Sequence, residues 1–278
     1  MLNATIKSLA ASVLAVLALA SCGDKDKAGA SELFAQSQAE ITAGNYAGAM
    51  TLLDTLNSRY PGQTEIRRQA LRLRAEAMQG VAQDSIASSS RSLAEATLAV
   101  ELWAPKFEHV ASSVGLDGYY LPKGTSDQIM TKTCIQARVS EKGFFYIVAN
   151  VQGKAIGLSS LEFENGAERI ASSAISHARV VSVEGSETAS FNPEDLQGVG
   201  QWLKAHPGVS KVMLRGSKGS VTVRIDGKLR AELTDCYEYS TALQAQRLAS
   251  IKREKFERML ATARDQMANM QPANTDEQ

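Results

Sequence analysis

Few side chains in this sequence could do covalent chemistry, and their spacing limits what kind. There are three cysteines, Cys22, Cys134 and Cys236, and three histidines, His109, His177 and His206. No histidine stands at metal-ligand spacing from a second ligand, such as an i, i+4 pair on a helix, so neither a metal ion nor a cofactor is expected. His206 precedes Pro207-Gly208 at an expected helix end, where a cation is favourable. His109 sits near another helix end. His177 leads a strand and could serve as a base. A serine nucleophile needs a sharp turn beside an oxyanion hole, and no Gly-x-Ser-x-Gly occurs. "RGSKGS", Arg215 to Ser220, has the glycines and lysine of a phosphate loop. It lacks the Gly-Lys-Ser/Thr ending and lies between two strands, which makes it a hairpin turn. Glu162 and Glu164 alternate on one strand and are expected to be solvated surface. No catalytic residue is assigned, and the chain is expected not to be an enzyme. A hydrolase would need His177 or a cysteine facing a carboxylate in a pocket.

Cys22 belongs to different chemistry. Residues 1–21 carry one basic residue, Lys7, ahead of an apolar run from Leu9 to Ala20. At about a dozen residues the run is too short to span a bilayer core of roughly 30 Å as a helix, and it has the length of a signal-peptide apolar region. Leu19-Ala20-Ser21-Cys22 resembles the bacterial lipobox. The resemblance implies cleavage before Cys22, lipidation of its thiol and acylation of the new amine. Several acyl chains, at about 0.8 kcal/mol per buried CH2, hold far more firmly than one. Residues 22–30 are polar and fit a flexible tether. Gly23 stands where an inner-membrane retention aspartate would, which favours the outer membrane, facing the periplasm or the cell surface.

The remainder suits one large domain or two smaller ones. Hydrophobic residues make up 44% of the chain, enough for real cores, and 30 basic residues cancel 30 acidic ones. No electrostatic footprint for nucleic acid is present. In an oxidising compartment Cys134 and Cys236 form an even pair that could be a disulfide. The other reading, two small buried hydrophobes on strands, stands equally.

Residues 31–114 are expected to be helical, with Ser31 as a cap, a break at Gly44-Asn45, and helices over Tyr46 to Arg59 and Thr64 to Met78. "AGNYAGAMTLLDTLNSRYPGQTEIRRQALRLRAEAM" resembles one tetratricopeptide-repeat hairpin of outer-membrane assembly lipoproteins. By that resemblance Gly44 permits close packing, Tyr46 and Ala49 sit at the helix crossing, and a protein partner is implied. A plain helical hairpin is the alternative. A further helix is expected through Leu93, Leu98, Leu102 and Phe107, with Pro105 ending or kinking it.

From residue 115 to 236 the pattern is strand-rich. "TCIQARV", "GFFYIVANV" and "AIGLSSLEF" suggest a meander, followed by a hairpin from "SHARVVSVEG" and "ETASF". Asn192 is expected to cap one short helix. A second meander over "KVMLRGSKGSVTVRIDGKLRAEL" would turn at Asp226-Gly227. Residues 237–271 form a long amphipathic helix with Leu248, Ile251, Phe256, Met259, Leu260, Ala263, Met267 and Met270 on one face, and 272–278 a loose tail. The expected class is α+β: N-terminal helical hairpins and the long C-terminal helix make a stalk, joined to a central, mainly antiparallel β domain. That helix is expected to pack on the helical region or to zip as a coiled coil with another chain. Alternation places one ring of each aromatic pair outward, so Tyr120, Phe145 and Tyr146 are candidates for a glycan- or peptide-binding surface. The leading expectation is a lipid-anchored, non-catalytic envelope protein that binds or scaffolds another protein.

Overall fold

The computed structural model describes residues 25–111, 117–127 and 131–270. The signal peptide, Cys22 and the tail 272–278 lie outside the described residues. The fold is α+β, with long helices and two antiparallel sheets. The chain divides into two compact units: residues up to Ser90 together with those from Ser250 onward, and Arg91–Ala249.

The first unit is helical. Helix α1 covers residues 25–42, so the expected tether is helical from Lys25 and Ser31 lies inside the helix rather than capping it. Gly44, at φ 76°, makes the left-handed turn into α2 (Tyr46–Arg59). Asn45 caps α2, accepting the Gly48 N–H at 3.1 Å. Ala49, Leu53 and Leu56 of α2 pack against Ala70, Leu73 and Ala77 of α3 (Thr64–Trp103), with Phe34 and Ile41 of α1 alongside. Gly44 does not serve close packing, since a Cβ there would meet nothing within 4 Å. That role falls to Gly80, where a Cβ would come within 2.2 Å of the Tyr46 ring, and to Gly29, within 2.3 Å of the Tyr60 hydroxyl.

The two helices expected over residues 64–114 are one. No proline interrupts "QGVAQDSIASSSRS", and Ser89 turns back onto the helix, its Oγ donating to Ser85 O at 2.7 Å. Pro105 then lies in a 3-10 turn, Ala104–Lys106, and the chain becomes extended at β1 (Phe107–Val110). His109 therefore stands on a strand.

The second unit carries both sheets. One has the order β1-β2-β3-β4-β8-β7, with β2 Tyr119–Pro122, β3 Cys134–Ser140, β4 Phe145–Val151, β7 Val180–Val183 and β8 Ser186–Phe191. The other has the order β10-β9-β5-β6, with β5 Leu158–Asn165, β6 Glu168–Ala171, β9 Lys211–Gly216 and β10 Gly219–Arg224. The first expected meander is broken: β5 leaves β3 and β4 for the second sheet, and β8 takes its place beside β4. The β7–β8 and β9–β10 hairpins form as expected. The short helix is α4 (Val199–Ala205), and it starts after Gly198 rather than at Asn192, which instead opens a tight turn closed by Asp195 and Leu196 N–H groups.

Asp226-Gly227 is not a hairpin. Asp226 caps α5 (Gly227–Asn269), accepting the Leu229 N–H at 2.8 Å. The stretch 227–236, expected as strand, is thus the first turns of the long helix. Asp is as good an N-cap as a turn residue, and "KLRAEL" is rich in helix formers. Leu233, Cys236 and Tyr239 of α5 join the core with Ile135, Val139, Ile147, Phe163, Phe191 and Leu214 of the two sheets.

Candidate binding surfaces

The cysteines and histidines are placed by packing. Cys236 is fully buried on α5 and Cys134 is half-buried on β3; the two are not joined as a disulfide. Burial pushes both thiols up, Cys236 well above its ordinary value. Cys134 lines a cavity of about 710 Å3 together with Asp226 and Glu232. Both carboxylates are committed there, Asp226 to the α5 cap and Glu232 to Thr125 and Lys228. His109 pairs with Glu141 at 2.6 Å and leans on Tyr120. His206 caps α4, stacks on Trp202, and reaches the Trp202 carbonyl at 2.8 Å and Glu168 at 2.6 Å. His177 is exposed at the start of a 3-10 turn and pairs with no carboxylate among the described residues. No group of three or more His, Cys, Asp or Glu among the described residues could hold a metal ion.

The glycine-rich "RGSKGS" is the β9–β10 turn, and its amides are spent. Ser217 and Lys218 N–H groups donate to the Gly157 and Ile156 carbonyls at 3.2 and 2.8 Å. The amides of this same segment, Ile156, Gly157 and Leu158, all donate to the carboxylate of Glu187 at 2.9–3.0 Å. Glu187 is 2% exposed. It fastens the chain where it passes from one sheet to the other. A glutamate in the strand "SETASF" gives no sign of this in sequence, because its partners are backbone groups thirty residues away.

Glu162 and Glu164 lie on the outer face of the second sheet, each bound to bases on neighbouring strands. Arg215 grips Glu162 with two bonds of 2.9 Å and holds its carboxyl below the usual range, and Lys211 meets Glu164 at 2.9 Å. These are cross-strand pairs in which the bases are the exposed partners and largely cover the two carboxylates, which are therefore not the solvated surface expected.

The three candidate rings separate. Phe145 is buried, edge-on to Tyr237 of α5. Tyr120 is half-buried beneath α5, edge-on to Tyr239. Neither is a free surface, and the ring exposed in this strand region is Phe144, at 40%. Period-two alternation puts Phe144 on the face of Tyr146 and Phe145 on the opposite one. Tyr146 is half-buried, and burial pushes its hydroxyl up.

Phe144 and Tyr146 line a pocket of about 430 Å3 with Pro193, Ser190, Asn192 and Lys142. Its origin is a parting of strands. β4 pairs with β8 only from Ile147, opposite Phe191. Beyond Phe191 the chain turns away, because Asn192 N–H donates to Asp195 at 2.7 Å and Arg179 clamps Asp195 with bonds of 3.0 and 2.6 Å. Burial alone would raise the Asp195 carboxyl, but the guanidinium and the Asn192 amide outweigh it and hold it low. A second hollow of about 250 Å3, toward α4, shares Phe144 and Pro193 with the first.

A different surface is carried by the helices. Leu98 and Leu102 stand one turn apart on α3 at 67% and 71% exposure, and Leu248 and Ile251 are half-exposed or more on α5. Of the face expected on α5, Ala263 is buried and Phe256, Met259, Leu260 and Met267 are partly so, while Leu248, Ile251 and Met270 are exposed. No helix among the described residues is long and apolar enough to cross a membrane.

Comparison with known proteins finds no matching family model, no matching curated protein and no matching solved structure.

Proposed function

We propose that this chain is a lipid-anchored protein of the bacterial outer membrane, tethered through Cys22, that works as a non-catalytic protein-binding module. The anchor rests on the order Leu-Ala-Ser-Cys after a short apolar run. The observation that carries the binding role is the pair Leu98 and Leu102, two leucines left in water one turn apart on a long helix. Large apolar side chains grouped on a surface mark a place where another protein sits. The helical hairpin of α2 and α3, similar in sequence to a tetratricopeptide unit, supports the same reading.

The test is a photo-reactive residue placed at Leu102 in the intact, lipidated protein in cells, with Thr222 on β10 as the control position. A discrete adduct at residue 102, absent at 222 and lost on Leu98→Lys, supports the reading. Metabolic palmitate labelling that disappears in Cys22→Ala supports the anchor. No adduct from residue 102 at natural abundance overturns the binding role, and unlabelled wild-type protein overturns the anchor.

A further inference from the structure

We propose that the notch between Phe144 and Asn192 is a saccharide-binding site that takes a neutral pyranose ring. It is a separate site from the leucine pair on α3 and does not depend on the anchor.

The notch is built rather than incidental. The Arg179–Asp195 clamp and the Asn192 turn force β8 away from β4, and the floor left open is aromatic. Phe144 is held at its mouth by the hairpin before β4. Its N–H donates to Ser140 Oγ at 3.0 Å and its carbonyl accepts the Ser140 N–H at 2.9 Å. The ring therefore stays in water on a fixed backbone, next to the half-buried Tyr146.

The rim selects the ligand. Lys142 is paired with Asp117, so its charge is already met within the pocket wall. Beside the rings stand the Ser190 hydroxyl, the Asn192 amide and Glu194, whose carboxylate accepts from that amide at 3.4 Å, so the rim offers both donors and acceptors. An anionic ligand would meet the Glu194 carboxylate at the rim, with Lys142 already taken by Asp117. A purely apolar one would cover the amide and hydroxyl without bonding to them. A pyranose answers both requirements, with C–H groups on one face for the Phe144 ring and hydroxyls around its edge for the amide and serine. A pocket of about 430 Å3 falls in the size range of small-ligand sites.

The experiment titrates the full-length protein in detergent with maltose and with N,N′-diacetylchitobiose, read by ligand-observed NMR and calorimetry, beside a proline-rich decapeptide. Saturable binding of either sugar is expected, weakened at least tenfold by Phe144→Ala and by Asn192→Ala, with unchanged circular dichroism and melting temperature. Asn192 also opens a turn, so Ser190→Ala serves as the second rim variant should Asn192→Ala lose its fold. Three outcomes overturn the proposal: no binding of either sugar up to about 10 mM, sugar binding that Phe144→Ala leaves intact, or binding of the peptide alone.

Discussion

Among the described residues Glu187 is the most deeply buried charged side chain. Its carboxylate is out of water and receives three backbone N–H groups, so removing it leaves three buried donors without an acceptor. Glu187→Ala is expected to cost roughly 3 kcal/mol, measured by urea unfolding monitored by circular dichroism. A loss within 0.5 kcal/mol, about that of a surface substitution, would show that water replaces the carboxylate. Asp195 acts in the same register but is sensitive to acid. Its folded-state pKa lies below its ordinary value, so its clamp on Arg179 stabilises the protein fully above about pH 4. That contribution is lost as pH falls through the folded-state value. Asp195→Asn should cost about 2 kcal/mol at neutral pH, and the melting temperatures of mutant and wild type should converge on acidification. None of these roles is legible in the residues themselves. Glu187 and Asp195 work through backbone amides and a guanidinium distant in sequence. Phe144 differs from Phe145 only in which side of a strand it occupies, and the parity of a strand is set by its partners.

At the scale of elements, close packing decides where glycine is required. Gly80 sits inside α3 with the Tyr46 ring lying across it. Alanine there gains about 1 kcal/mol in helix propensity and loses more by driving a methyl group into an aromatic ring. Gly80→Ala is expected to lower stability by about 1–2 kcal/mol in the native background. In a Tyr46→Ala background the same change should turn stabilising, and that reversal of sign in a double-mutant cycle is the decisive reading. The hairpin α2–α3 was legible because its first helix announces its own ends: Gly44-Asn45 breaks the chain before Tyr46, and Pro61 stands just past the last turn. Ambiguous punctuation was less informative. Asp226-Gly227 suits a type I′ turn and a helix start equally, and tertiary packing of Leu233 and Tyr239 decides for the helix. Strand existence was readable from alternation for β3, β4, β5, β9 and β10. Strand partnership was not, since nothing local tells β4 to take β8 rather than β5 as its neighbour.

Across the whole molecule, two elements cross the boundary between units: α3 ends in the second unit and α5 begins in it. The core of the second unit includes Leu233, Cys236 and Tyr239. Ending the chain at Asp226 should therefore leave residues 91–226 without cooperative unfolding, shown by loss of a sharp thermal transition. A cooperative transition of tryptophan fluorescence in that truncation, Trp103 and Trp202 both lying in the second unit, would mean the sheets close a core by themselves. The departure of β5 to the second sheet has one more consequence, in time rather than in space. Val148 finds its partner in Ser190 only after β5, β6 and β7 have been made and set aside. The closure entropy of that detour must be met before any of the β4–β8 ladder rewards it. A chain delivered N-terminus first would thus hold the β4 edge open until β8 arrives. Refolding of this protein should be slow for its size, and it should depend during synthesis on whatever shields unfinished sheets from one another.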